Sequence, residues 1–174
     1  MTKAILIWQI VGFFFSVFLG SFLHFAYKLS NNSIIVGTFS AINESTWEHM
    51  KLLFFPMFIF SVIQFFFFKN VDQFWSIKLC GICIGLTLIP VLFYMYNGII
   101  GKSPAWINIA IFAFSAFFAY LFELKAFKDN RILFSSQTIS FYILLFIAFL
   151  FIFFTFITPK INIFKDPVTG KYGI

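Results

Sequence analysis

Five long apolar runs, separated by polar connections, account for most of the chain. They cover residues 4–27, 47–68, 77–96, 105–124 and 133–157. A helix needs about 20 predominantly apolar residues to cross the hydrocarbon core of a bilayer, and each run is long enough. No run shows the period-two alternation of a membrane-spanning strand. The pattern predicts an all-α, polytopic integral membrane protein: a single transmembrane domain over residues 1–174, a bundle of about five helices, with a polar tail at 158–174. The first run follows directly on Met-Thr-Lys. It is expected to stay as a span, because it is too long for a signal-peptide core and no small-residue cleavage site cleanly follows it. The connection from Lys28 to Thr46 is the longest. Its segment from Ile34 to Phe39 is mostly apolar and is expected to dip into the membrane interface.

Within the runs, small residues recur at helical spacing. Gly12, Ser16 and Gly20 mark the first run, Gly81 and Gly85 the third, Ser115 and Ala119 the fourth. Such stripes let helix backbones approach closely. One further step of four residues reaches His24 in the first run and Glu123 in the fourth, so both polar side chains are expected to face the bundle. Gln64 is expected to make an interhelical hydrogen bond, and Glu123 an interfacial ion pair with its basic neighbours Lys125, Lys128 and Arg131. Pro56 and Pro90 are expected to kink the second and third spans.

Composition agrees with the pattern. The chain is 61% hydrophobic and 10% charged, whereas a soluble domain is about a quarter charged. Phe accounts for 32 of the 174 residues, which lipid contact explains without a cofactor. The net charge of +6 comes from basic residues scattered singly. That excludes a nucleic-acid-binding patch and leaves membrane lipids as the expected partners. With five spans the termini lie on opposite faces. Lys3, Lys69, Lys78, Lys125, Lys128 and Arg131 fall on the N-terminal face; Lys28, Lys51, Lys102, Lys160, Lys165 and Lys171 fall on the other. The counts tie. Three of the second set sit in the terminal tail and Lys51 can lie within its span, so the positive-inside rule leans to a cytoplasmic N-terminus and an external C-terminus. Cys80 and Cys83 form an isolated C-x-x-C inside a span and are expected to be ordinary buried thiols.

The chemistry concentrates in one decapeptide. The chain has six carboxylates and two histidines, and Ile42 to Lys51, INESTWEHMK, holds Glu44, Glu48 and His49. Part of this is helix-start chemistry. Ser45 and Glu48 have capping-box spacing. Alternatively Asn43 is the cap, with Ile42 and Trp47 as a hydrophobic staple, which frees Glu48. Trp47 would anchor at the interface. Neither version uses His49 or the second acid. Parity of the spans puts His24, the decapeptide and Asp166 of the tail on one membrane face. Two imidazoles and three carboxylates can therefore gather there. Such a set suits zinc or another divalent cation with an open coordination position. His24, His49 and Asp166 are the candidate ligands. Glu48 and Glu44 are the candidate catalytic carboxylates, Glu48 as ligand or general base. A haem held between the two histidines is an alternative. Histidine rings more than about 10 Å apart cannot share one zinc, whose ligand bonds are about 2 Å. No P-loop, G-x-G-x-x-G or serine nucleophile elbow is present.

The stretch from His24 to Pro56, with its heptapeptide NESTWEH, and the tail from Asp166 to Gly173, DPVTGKYG, resemble a family of small multi-spanning membrane proteins of low-GC Gram-positive bacteria. The resemblance implies a bacterial membrane location and no particular reaction. Three classes of function stay open: a metal-dependent hydrolase of a lipid-like substrate, a transport or small-molecule-binding component, and a non-catalytic accessory protein.

Overall fold

The computed structural model describes residues 2–101, 104–129 and 136–174. It contains six α-helices: α1 (Thr2–Leu29), α2 (Ile34–Gly37), α3 (Thr46–Phe65), α4 (Phe74–Ile99), α5 (Ala105–Asp129) and α6 (Gln137–Phe156). A 3-10 turn, Asn162–Phe164, follows in the tail. All but α2 are long and apolar enough to cross a membrane. The five expected spans are therefore present, with their ends moved by a few residues. The expected start of the last span, at Leu133, lies outside the described residues.

The shifted ends have local causes. Ser136 caps α6, its hydroxyl accepting from Ile139 N at 3.3 Å. α4 starts three residues before the apolar run because those residues are held against α6. Ser76 and Ser140 share a hydrogen bond of 3.0 Å, and Trp75 N donates to Gln137 Oε1 at 3.2 Å. Asn31 and Asn32, at φ 53° and 58°, turn the chain out of α1, a conformation asparagine tolerates better than most residues. α2 follows, with Ile34, Ile35 and Phe39 exposed around it. The segment is thus a short helix that presents apolar side chains outward, as an interfacial segment requires.

α3 occupies the middle of the bundle. It packs on α1, α4 and α6, while α1 and α4 also pack on α5. Position explains hydropathy: 61% of the α3 span is buried against protein, against 22% for α6, and α3 is the less hydropathic of the two. A helix surrounded by other helices can carry polar groups that lipid would penalise.

The small-residue stripes lie at the helix contacts. A Cβ on Gly12 would meet Phe60 and Tyr120 at 2.5 and 2.7 Å, and one on Gly20 would meet Phe112 and the Leu52 carbonyl at 2.5 and 2.8 Å. Ser16 bonds Tyr120 Oη at 2.8 Å. On the other side of α5, Gly85 faces Leu53 and Ala119, and Gly81 faces Glu123. A methyl on Gly81 would sit 2.5 Å from Glu123 Cγ, so Gly81→Ala is expected to cost about 1–3 kcal/mol by overpacking. Unfolding in detergent measures this; a variant as stable as wild type would refute the close fit.

Several expectations are corrected. Glu123 does not pair at the interface with Lys125, Lys128 or Arg131 (the last lies outside the described residues). It is fully buried and binds Lys78 of α4 at 2.5 Å. Lys78 is therefore a core residue rather than a loop charge, and so is Lys51 of α3. Removing one from each face leaves the loop charges tied, so they give the orientation no clearer direction (Lys102 also lies outside the described residues). Gln64 is buried, but its Oε1 has no hydrogen-bond partner among the described residues. Trp47 is not an outward anchor: its ring packs, tilted, between Phe151 and Phe164, with centroids 4.6 Å from each. Cys83 is exposed on α4 and Cys80 partly so. Pro56 and Pro90, where kinks are expected, do lie inside their helices, α3 and α4.

Candidate metal centre

The heptapeptide separates into residues that build the corner and residues that face out of it. Ser45 is the N-cap of α3, its hydroxyl accepting from Glu48 N at 3.4 Å. Asn43 works one step earlier. Its Oδ1 accepts from Ser45 N at 2.9 Å, and its Nδ2 donates to Gly173 O in the tail at 3.3 Å. Glu48 does not close the capping box on Ser45 N. Its Oε2 reaches back to accept from Ile42 N at 3.1 Å and takes the Lys51 ammonium at 2.6 Å. Lys51 also donates to Gly37 O at 2.9 Å and Thr155 Oγ1 at 3.0 Å. One buried lysine thus ties the first loop, the start of α3 and the end of α6 together. Ser45 is thus the cap and Asn43 closes the turn before it, while Glu48, which an Asn43 cap would have freed, is held by Ile42 N and Lys51.

Glu44 and His49 are left over, and His24 comes to meet them. The rings of His24 and His49 have centroids 5.5 Å apart, well inside the distance that one shared metal requires. Glu44 stands against both, with Oε1 3.8 Å from His24 Nε2 and Oε2 3.7 Å from His49 Nε2. These separations are too long for hydrogen bonds. One ligand atom from each residue lies within 4.8 Å of the others, and all three side chains are half-buried. His49 is oriented from behind. Its Nδ1 lies 2.9 Å from Ser45 O. A carbonyl only accepts, so Nδ1 carries a proton, which leaves Nε2, on the Glu44 side of the ring, as the atom available to a metal.

The other two expected site residues are engaged elsewhere. Glu48 is in the buried pair with Lys51. Asp166, also buried, closes its own turn: its carboxylate accepts from Val168 N and Thr169 Oγ1, each at 2.8 Å. Gly170, at φ 74°, completes that turn and donates to Asp166 O at 2.8 Å. Asp166 serves the tail's fold and is not one of the three clustered side chains.

A family model of unknown function, DUF6512, matches residues 1–174. The chain belongs to this family. No curated protein and no solved structure matches it. The DUF6512 chain is thus a helical protein with, among the described residues, five helices long and apolar enough to cross a membrane, and its family carries no assigned activity to transfer.

The three clustered residues open onto a cavity of about 210 Å³ between α1, α3 and α5. α1 contributes Gly20, Ser21 and Phe25 to its walls, α5 Ile109 and Phe112, and α3 Leu52. None of these residues was singled out from the sequence except Gly20, on the small-residue stripe. The stripe gave a close helix approach at Gly20; the opening beyond it depends on how α1 and α5 diverge, which no local pattern encodes.

Proposed function

We propose that the DUF6512 chain is a metal-dependent membrane hydrolase acting on a lipid-like ester or amide. The observation that carries this reading is the convergence of His24, Glu44 and His49 at the polar end of an apolar cavity. Two histidines and one glutamate form a ligand set that suits a catalytic zinc ion with an open fourth position. Ligand atoms around a tetrahedral zinc, with bonds near 2 Å, sit about 3.3 Å apart. The Glu44 contacts of 3.7 and 3.8 Å come from separate oxygens, and the three ligand atoms lie within 4.8 Å of one another, so the partly exposed side chains would draw inward by about 1–1.5 Å to enclose a zinc ion. A divalent cation there would activate a bound water and polarise the scissile carbonyl.

The chain's own groups divide the remaining work. His49 is held in the ligating tautomer by Ser45 O, the kind of backing that fixes metal-bound imidazoles. Glu44 presents a separate oxygen to each histidine, so one oxygen can ligate while the other accepts a proton from water. Glu48 is a positioning residue: with Lys51 it holds the turn on which Glu44 rides. Asp166 stabilises the tail that Asn43 grips. The same Glu44 carboxylate stands against both Nε2 atoms, where a haem iron would have to sit, and this disfavours the haem alternative. A transport role calls for polar groups leading from the cluster toward Gln64 or Glu123. Directly beyond the cluster Leu52 and Phe112, both buried and apolar, close on Gly20, which weighs against it.

The test is metal analysis of detergent-purified protein. Wild type is expected to retain about one divalent cation per chain, and His24→Ala and His49→Ala to lose it while keeping their helical content. Wild-type protein with no metal above background, after supplementation with zinc, would overturn the reading.

A further inference from the structure

The cavity beside the cluster has walls and an entrance of different character from its polar end. Its inner wall is Leu52 and Phe112, both buried. Its rim on α1 and α5 includes Phe25 and Ile109, which are 56% and 62% exposed on the outside of the bundle. These helices are membrane spans, so that outside is lipid. The entrance therefore opens sideways into the bilayer. At about 210 Å³ the space is many times the roughly 30 Å³ share of a water molecule. It is also below the roughly 300–1,000 Å³ of sites that enclose a whole drug-sized ligand. It suits part of a larger apolar molecule whose remainder stays outside.

We infer that this cavity takes the part of one acyl chain nearest a bilayer lipid's polar linkage, admitted laterally between α1 and α5, with that linkage brought to His24, Glu44 and His49. The depth is set where α1 and α5 close on each other. Gly20 lies so near Phe112 and Leu52 that even a methyl has no room, so the rest of the chain turns out into the bilayer at that level. The polar groups lie at one end and the hydrocarbon walls at the other, matching the order of headgroup and chain in a membrane leaflet. The inference rests on the hydrolase reading for the role of the polar end alone; the chain site stands on the cavity.

The test uses protein reconstituted in phosphatidylglycerol vesicles with a trace of phosphatidylglycerol carrying a diazirine on one acyl chain. After illumination, labelled peptides are mapped and metal content is measured on the same samples. Label is expected to concentrate on residues 20–25 and 108–112, above the exposed Phe146 and Phe149 of α6. Ser21→Trp, which adds bulk at an exposed wall position, is expected to bring that label down to the α6 level while metal content is unchanged. Ile109→Trp does the same from the opposite wall, should Ser21→Trp fail to fold. Label spread evenly over the outer faces, or undiminished in both folded variants, would overturn the chain site whatever the metal content. Site-specific label without metal would retain the chain site and remove the hydrolase reading.

Discussion

Lys78→Met is expected to destabilise the protein by about 3–5 kcal/mol, the range for breaking a buried ion pair from one side. Lys78 and Glu123 are completely buried, 2.5 Å apart, between α4 and α5. The ammonium also lies over the rings of Phe74, Tyr120 and Phe127, at 5.8, 5.5 and 5.7 Å. Glu123 has no comparable reserve. Its Oε1 has no hydrogen-bond partner among the described residues, so losing Lys78 strands the whole carboxylate in a dry interior. The double variant Lys78→Met with Glu123→Leu removes both charges and keeps the volume. It is expected to recover most of the loss, because hydrophobic replacement of a buried pair is often neutral or stabilising. Unfolding of the four proteins in detergent closes the cycle. A single variant within about 1 kcal/mol of wild type, the worth of an exposed pair, would mean the pair is solvated.

That pair also shows how far the sequence could be read. The stripe through Ser115 and Ala119 reaches Glu123 by helical spacing alone, and Glu123 does face the bundle. Its partner was missed because Lys78 stands at the edge of an apolar run, where a lysine ordinarily belongs to a loop. The available signal was periodicity: Lys78, Gly81 and Gly85 lie three and then four residues apart, on one face of α4. The five spans were legible because lipid imposes length and apolarity on every crossing helix. The gathering of His24 and His49 was legible for a related reason, since span parity brings both to one membrane face. Which carboxylates would join them was not. Glu44 and Glu48 are equivalent in spacing and chemistry, and what separates them is Lys51. A lysine at the fifth residue of an apparent span sits close to its boundary, yet it folds back three residues to claim Glu48. Asp166 was drawn away by its own turn, from Pro167 to Gly170, which the sequence did advertise.

The two acids of the heptapeptide are therefore expected to separate cleanly on substitution, and this contrast has the largest effect on the candidate site. Glu44→Gln is expected to lower divalent-cation affinity by more than about 100-fold, since even second-shell partners of a metal site are worth 10–100-fold. Its cost in stability is expected to stay within about 0.5 kcal/mol, as for other substitutions outside packed features: the carboxylate is partly exposed and, among the described residues, no hydrogen bond fixes it. Glu48→Gln reverses the pattern. Its carboxylate is buried and holds Lys51 at 2.6 Å, so the amide leaves an ammonium uncompensated and is expected to cost about 3 kcal/mol. The folded fraction should still bind metal, because Glu48 touches neither histidine. Isothermal titration with zinc and unfolding in detergent, run on both variants, read the two axes separately. Equal loss of affinity in the two would make Glu48 a ligand and the assignment of the corner wrong. Full affinity in Glu44→Gln would leave the histidines without the carboxylate that completes the site, and would end the case for a three-ligand metal centre.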